Sequence, residues 1–326
     1  MRLAEFLIEG GNVFSGQTAA IKREHIAPTL AAYFAELKSL FPQKAKIFTE
    51  KIFEPLGSVG KKAISGDIDL GVDTQNLVGK QMTDADIRAW NLEPADVETE
   101  FLALKKRART ANDAQLRMKA FLKTLVQYIN QNSTVLHCDE KKVTDGNIFG
   151  LFTQKDEQGE DLGINVQIDW MVGNINWLRF SYYSTAYPAD SNVKGLHRTQ
   201  LMLSAFQVAN MTFNHVTGVK DKTTGEVLAT DPKQALTVLG KALGFKITAD
   251  DAENYYQLHK LLKSKMTSEQ YDHLTNVYFK ILDSTRTDIP DDLQPLWIQK
   301  QSALGLTGKF LPDTSKLIQY QTEKAQ

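Results

Sequence analysis

Asp67 to Asp73 reads DIDLGVD, a strict alternation. A strand over it puts Ile68, Leu70 and Val72 on one face and Asp67, Asp69, Gly71 and Asp73 on the other. Ile164 to Val172 (INVQIDWMV) alternates in the same way: Ile164, Val166, Ile168, Trp170 and Val172 share an apolar face, and Asn165, Gln167, Asp169 and Met171 share the opposite one. Residues two apart on a strand lie about 6.6 Å apart and a neighbouring strand about 4.8 Å away, so Asp67, Asp69 and Asp169 are candidates to surround cations. Without cations the cluster is costly, because two carboxylates about 5 Å apart repel by roughly 3 kcal/mol at an effective dielectric near 20. Carboxylates are the ligands magnesium prefers. Two such ions about 3.5 to 4 Å apart are what nucleotidyl transfer needs.

Upstream lies Gly57-Ser58-Val59-Gly60-Lys61-Lys62. A glycine there lets backbone approach phosphate oxygens, a turn of amides with a hydroxyl binds them, and Lys61 and Lys62 add positive charge. Two other readings fail. As a calcium loop, Asp67 onward would strand Ile68, Leu70 and Val72 in a polar loop and place Val78 where the bidentate glutamate belongs. As a Walker phosphate loop, the first glycine would be Pro55, and Lys62 is followed by Ala63 instead of serine or threonine.

The stretch LGSVGKKAISGDIDLGVD resembles the hallmark of the DNA polymerase beta-like nucleotidyltransferase superfamily: an apolar residue, Gly-Ser, a short spacer, then Asp-x-Asp among apolar residues, with a third acid on a later strand. The specific similarity covers roughly residues 50–75 and 160–175. On that resemblance Asp67 and Asp69 match the paired ligands of two Mg2+ ions, or of Mn2+ in their place. Asp169 matches the third acid, which helps bind the catalytic ion and lowers the acceptor hydroxyl's pKa. Gly57 and Ser58 match the phosphate-binding turn; the spacer is shorter than in many members, which bears on Lys61 and Lys62. The implied activity moves a nucleoside monophosphate from a nucleoside triphosphate to an acceptor hydroxyl, releasing pyrophosphate; the acceptor is an RNA end, a protein side chain or a small molecule. The chain is also similar to uncharacterised nucleotidyltransferase-like proteins of tailed bacteriophages, through EGGN at residues 9–12 and GLHR at residues 195–198. That likeness implies a host-cytoplasm location.

Two rivals stand beside this reading. A nucleotide-sugar glycosyltransferase also uses Asp-x-Asp on a metal, but does not require the upstream Gly-Ser. A nucleotidyltransferase-shaped binding module with a vestigial site is the non-enzymatic alternative, against which stands the presence of all three acids.

The elements that must position these residues are legible as patterns. From Lys22 to Leu40 the apolar residues fall at spacings of three and four, one face of a helix. Lys51 to Leu56 reads as a strand, Asp84 to about Gln131 as helical with a boundary near Pro94, and Thr134 to Cys138 and Asn147 to Gln154 as strands joined to Ile164–Val172 by the polar turn 155–163. Later, Leu196 to Met211 reads as a helix, Val216 to Ala229 as a hairpin, Asp250 to Met266 and Ser268 to Leu282 as helices. The fold class expected is α+β, a nucleotidyltransferase-type mixed sheet flanked by helices, with a catalytic domain over 1–190 and a mostly helical domain over 191–326 that supports the acceptor or nucleotide. His197 and Arg198 open the helix after Gly195 and are candidates for contact with a triphosphate. The run Lys105 to Arg109 reads as a solvated helix face rather than an acceptor site, and His137, His215, His259 and His273 lack metal-ligand spacing.

Bulk properties narrow the classes. A net charge of −1 and a pI near 6.6 supply no long-range field for a polyanion. A single cysteine, Cys138, excludes an internal disulfide and fits a reducing compartment, the cytoplasm. Glu5 and Glu9 interrupt the amino-terminal apolar stretch, against a secretory signal, and Leu201 to Phe213 is too short and polar for a membrane span.

Overall fold

The computed structural model describes residues 13–14, 16–57, 59–61, 63–108, 112–183, 185 and 191–307. In chain order the first half runs β1 (Ile21–Lys22), α1 (Arg23–Leu40), β2 (Phe53–Pro55), β3 (Ile64–Ser65), β4 (Ile68–Asp73), α2 (Thr74–Val78), α3 (Asp84–Arg88), α4 (Pro94–Arg107), α5 (Asp113–Asn132), β5 (Leu136–Cys138), β6 (Asn147–Lys155) and β7 (Asp161–Gly173). The second half runs α6 (Ile175–Ser181), α7 (Gly195–Val208), β8 (Met211–Asn214), β9 (Gly218–Asp221), β10 (Val227–Ala229), α8 (Pro232–Leu243), α9 (Tyr255–Lys265), α10 (Ser268–Thr285) and α11 (Gln294–Leu304).

The architecture is α+β, as the patterns predict: a mixed five-stranded sheet in the order β2-β4-β7-β6-β5, flanked by helices, followed by a mostly helical region. Within this sheet β4 and β7 pair in parallel, and the other neighbours are antiparallel. Alternation explains why the sheet forms. Ile68, Leu70 and Val72 lie opposite Ile168, Trp170 and Val172 in register, and all six are buried in one core with Tyr33, Phe34 and Leu37 of α1 and Phe121, Leu125 and Ile129 of α5. Trp170 Nε1 donates to the Tyr33 hydroxyl at 2.8 Å, which satisfies the one polar atom of that indole. Burying each such side chain stabilises by roughly 1.5–3 kcal/mol, enough in sum to offset the repulsion among acids on the opposite face.

A second core runs from Trp177 through α7 to α11 and the three-stranded sheet β10-β9-β8. The first core ends at Val172 and the second begins at Trp177, so the change of core falls at the start of α6. Helix α6 belongs to both sides: Trp177 enters the second core, while Leu178 and Ile175 pack against Leu56 and Met171 on the acid-bearing face of the sheet.

Several predicted elements are corrected in extent. The helical stretch 84–131 is three helices, broken where Asn91 takes a φ of 56° ahead of Pro94 and again after Arg107. Helix α7 stops at Val208 rather than Met211, because Asn210 turns the chain with a φ of 56° and Met211 opens β8, the third strand beside the predicted hairpin. The helix read from Asp250 begins at Tyr255, where the Asn254 side chain accepts from Gln257 N. Among the described residues no helix is long and apolar enough to cross a membrane.

Candidate metal centre

The parallel pairing of β4 with β7 decides the site. Asp69 lies directly opposite Asp169, and Asp67 sits one residue before β4 begins. One carboxylate oxygen from each of Asp67, Asp69 and Asp169 lies within 4.8 Å of the others. Asp169 is 2% exposed; its Oδ2 accepts from Gln167 Nε2 at 2.8 Å, and its Oδ1 is buried with no hydrogen-bond partner. Burial first, and then the charge of Asp67, pushes the Asp69 carboxyl well above the usual range. Asp169 is pushed the same way by burial, then by Asp69 and Asp67, against the opposing hydrogen bond from Gln167.

A buried oxygen that no protein group satisfies, on a carboxylate grouped with two more, is chemically unfinished. A divalent cation supplies what the arrangement lacks: it neutralises the like charges and fills the lone pairs of hard oxygen donors. The donor set therefore fits such an ion.

Gly57 stands at the same place. Its φ is 60°, so a larger residue would be strained in backbone, and a Cβ there would lie in contact with Asp69 Oδ2 at 3.4 Å. Leu56 N donates to the Asp69 carbonyl at 2.9 Å, which ties the end of β2 and the bend after it to the acid-bearing strand. Lys61 turns its Nζ back onto the Gly57 carbonyl at 2.9 Å and lies 5.8 Å from the Tyr183 ring centroid. Ser58 and Lys62 lie outside the described residues, as do Arg109 of the basic run and the EGGN segment.

Asp73 does not join the acids. It caps α2 by accepting from Gln75 N at 2.9 Å and also accepts from Ile175 N at 3.2 Å. The expectation of a triphosphate contact at His197 and Arg198 meets a different arrangement. His197 is fully buried, with Nδ1 accepting from Lys194 N at 2.8 Å and Nε2 on the Asp288 carbonyl at 2.8 Å. Arg198 is 2% exposed and donates through Nε to the Ala252 carbonyl at 2.6 Å and through Nη1 to the Phe180 carbonyl at 2.7 Å. Through these atoms both side chains hold main chain of the second region, and the Arg198 guanidinium also lies 5.5 Å from the centroid of the Tyr183 ring that Lys61 approaches.

Sequence reasoning passed over three polar residues at the centre. Gln167 shares the face of Asp169 by alternation, a signal visible in the sequence. Tyr182 ends α6, and its hydroxyl is pushed up by burial and then by the charges of Asp69 and Asp169, against a hydrogen bond from Asn147. Asn147, opposite Met171 in register, accepts through Oδ1 from His215 Nε2 at 3.0 Å; burial holds that imidazole down at about 4, so it is neutral and donates. Nothing in the local pattern marks Tyr182 or Asn147. No protein-family model matches the chain, and no curated protein matches it.

Proposed function

We propose that this chain is a divalent-cation-dependent nucleotidyltransferase of the polymerase beta-like type, which moves a nucleoside monophosphate from a nucleoside triphosphate to an acceptor hydroxyl. The observation that carries the reading is the convergence of Asp67, Asp69 and Asp169 within 4.8 Å, one of them presenting a buried, unsatisfied oxygen, beside the Gly57 bend. Magnesium, with manganese as the alternative, suits an all-carboxylate set, and two such ions when bound neutralise the triphosphate and acidify the attacking hydroxyl.

The chain's own groups have distinct tasks. Asp67, Asp69 and Asp169 hold the oxygen donors in one place before substrate arrives, so little reorganisation is needed at the moment of reaction. The positive-φ bend at Gly57 lets main chain approach phosphate oxygens, and Lys61 adds charge at its rim. Ser58 and Lys62 belong to the same bend on sequence grounds alone. The acceptor oxygen bonds to the α-phosphorus as its bond to the bridging oxygen breaks; the hydroxyl proton leaves to solvent and pyrophosphate departs.

Labelled nucleoside triphosphates, magnesium and a cell extract incubated with the protein test the reading, with Asp69→Asn alongside. Magnesium-dependent pyrophosphate release and transfer of label to RNA, protein or a small molecule is expected. The variant, folded by circular dichroism, should lose at least ~10²-fold, equivalent to the several kcal/mol a metal centre contributes. Equal turnover by the two proteins, or thermal stabilisation by nucleotide sugars and not by triphosphates, defeats the proposal.

A further inference from the structure

We infer that Gln167 is the positioning residue of the metal centre, a strut of one amide that ties the main chain at Val13 to Asp169 and aims the free carboxylate oxygen at the cation. The inference rests on the metal-centre reading above. Gln167 is fully buried on the acid-bearing face of β7. Its Oε1 accepts from Val13 N at 3.1 Å and its Nε2 donates to Asp169 Oδ2 at 2.8 Å. The chemistry of the two ends fixes the amide's orientation: a main-chain N–H can only donate, so the oxygen must face Val13 and the nitrogen must face the carboxylate.

That orientation has a consequence for Asp169. Repulsion from Asp67 and Asp69 favours rotation of the third carboxylate away from them. A charge-assisted hydrogen bond from a buried, doubly anchored amide opposes that rotation, and it occupies Oδ2 while Oδ1 accepts no hydrogen bond. The anchor itself is held. Lys142 Nζ donates to the Val13 carbonyl at 3.2 Å, Val13 and Phe14 pack on Phe149, and Phe149 lies opposite Asp169 in register. Further along, Ala19 N donates to the Asn165 carbonyl at 2.9 Å, and Gln154 Nε2 to the Ala19 carbonyl at 3.0 Å. The chain is thus fastened along β7 at Val13 and at Ala19, and Gln167 links Val13 by hydrogen bonds to a proposed ligand. Outer partners that orient metal ligands in this way contribute ten- to a hundredfold to metal affinity in general.

Manganese binding to the otherwise metal-free protein, followed by calorimetry and by electron paramagnetic resonance, tests this without any turnover. Gln167→Met keeps the volume and removes both hydrogen bonds; Val13→Pro keeps Gln167 and removes the N–H that orients it, together with the isopropyl group packed on Phe149. A rise in Kd for Mn2+ of about 10–100-fold is expected for Gln167→Met, with a smaller rise in the same direction for Val13→Pro. A purely structural glutamine would lower the melting temperature and leave Mn2+ affinity of the folded protein unchanged, which overturns the inference. Should Gln167→Met not fold, Val13→Pro decides, since wild-type affinity there removes the strut. A wild-type protein that binds no Mn2+ sinks the metal-centre reading and this inference with it, whereas a binding wild type with two equally tight variants sinks the inference alone.

Discussion

Asp169 and His259 are both buried polar side chains, and their surroundings are built in opposite ways. Around Asp169 stand two more carboxylates and a single amide donor, so burial and neighbouring charge both work against ionisation. Around His259 the partners alternate in sign and role: Nδ1 meets Asp292 Oδ2 at 2.7 Å, Nε2 meets the Tyr271 hydroxyl at 2.6 Å, and the Tyr255 hydroxyl donates to Asp292 Oδ1 at 2.9 Å. Burial pulls the Asp292 carboxyl upward, but the hydrogen bond and charge of His259, with the Tyr255 hydroxyl, outweigh it and hold that carboxyl below the usual range. The second network closes on itself and fastens α9 and α10 to the turn Asp291–Leu293. The first gathers like charges, a set of donors that could hold a metal ion. Burial of a titratable group therefore does not by itself mark a functional site; the sign of what surrounds it does.

Substitutions in the two regions should separate along that line. The largest effect is expected at Arg198, whose guanidinium holds two main-chain carbonyls. Arg198→Met should cost about 3 kcal/mol in urea unfolding, because two buried acceptors lose a donor at roughly 1–3 kcal/mol each, and it should leave Mn2+ affinity unchanged. Intact stability with lost triphosphate affinity would place Arg198 at the phosphate site and erase the contrast.

Next in size is Asp69→Asn, which should stabilise the metal-free protein by about 2 kcal/mol at neutral pH, since it removes a repulsive charge at short range. The sign follows from the raised carboxyl. A folded-state pKa above the unfolded one means that ionisation is disfavoured in the folded protein, so wild-type stability rises as pH falls through that raised value. The gap between variant and wild type should then shrink in acid, and it should reverse when Mn2+ is added. A variant less stable than wild type without metal would show that the acids do not repel.

The smallest effect is expected at Asp292→Asn, about 1 kcal/mol or less, because the carboxylate is partly solvent-screened. Here the sign is opposite. The Asp292 carboxyl is depressed, so its contribution is present above the unfolded pKa near 4 and is lost as pH falls through the folded value. Double-difference unfolding of wild type and variant between neutral and acid pH checks this, and a stabilising substitution would merge the two regions into one class.

Much that is local was readable in the residues. Period-two alternation set which face Asp67, Asp69 and Asp169 occupy, and the bend at Gly57 was evident from a glycine placed where only a positive φ serves. Those signals are decided within a few residues of chain, by sterics and by solvent. The tertiary structure alone decided that β4 lies parallel to β7 with Asp69 opposite Asp169, that Gln167 braces the third acid from Val13, and that His197 and Arg198 turn inward to main-chain carbonyls. Alternation says which face a side chain takes but not which strand comes to lie beside it, and a hydrogen-bonding side chain carries no sign of its partner far along the chain. Those choices are made by the burial of the opposite, apolar face, which sets the register, and by the requirement that each enclosed donor and acceptor find its complement.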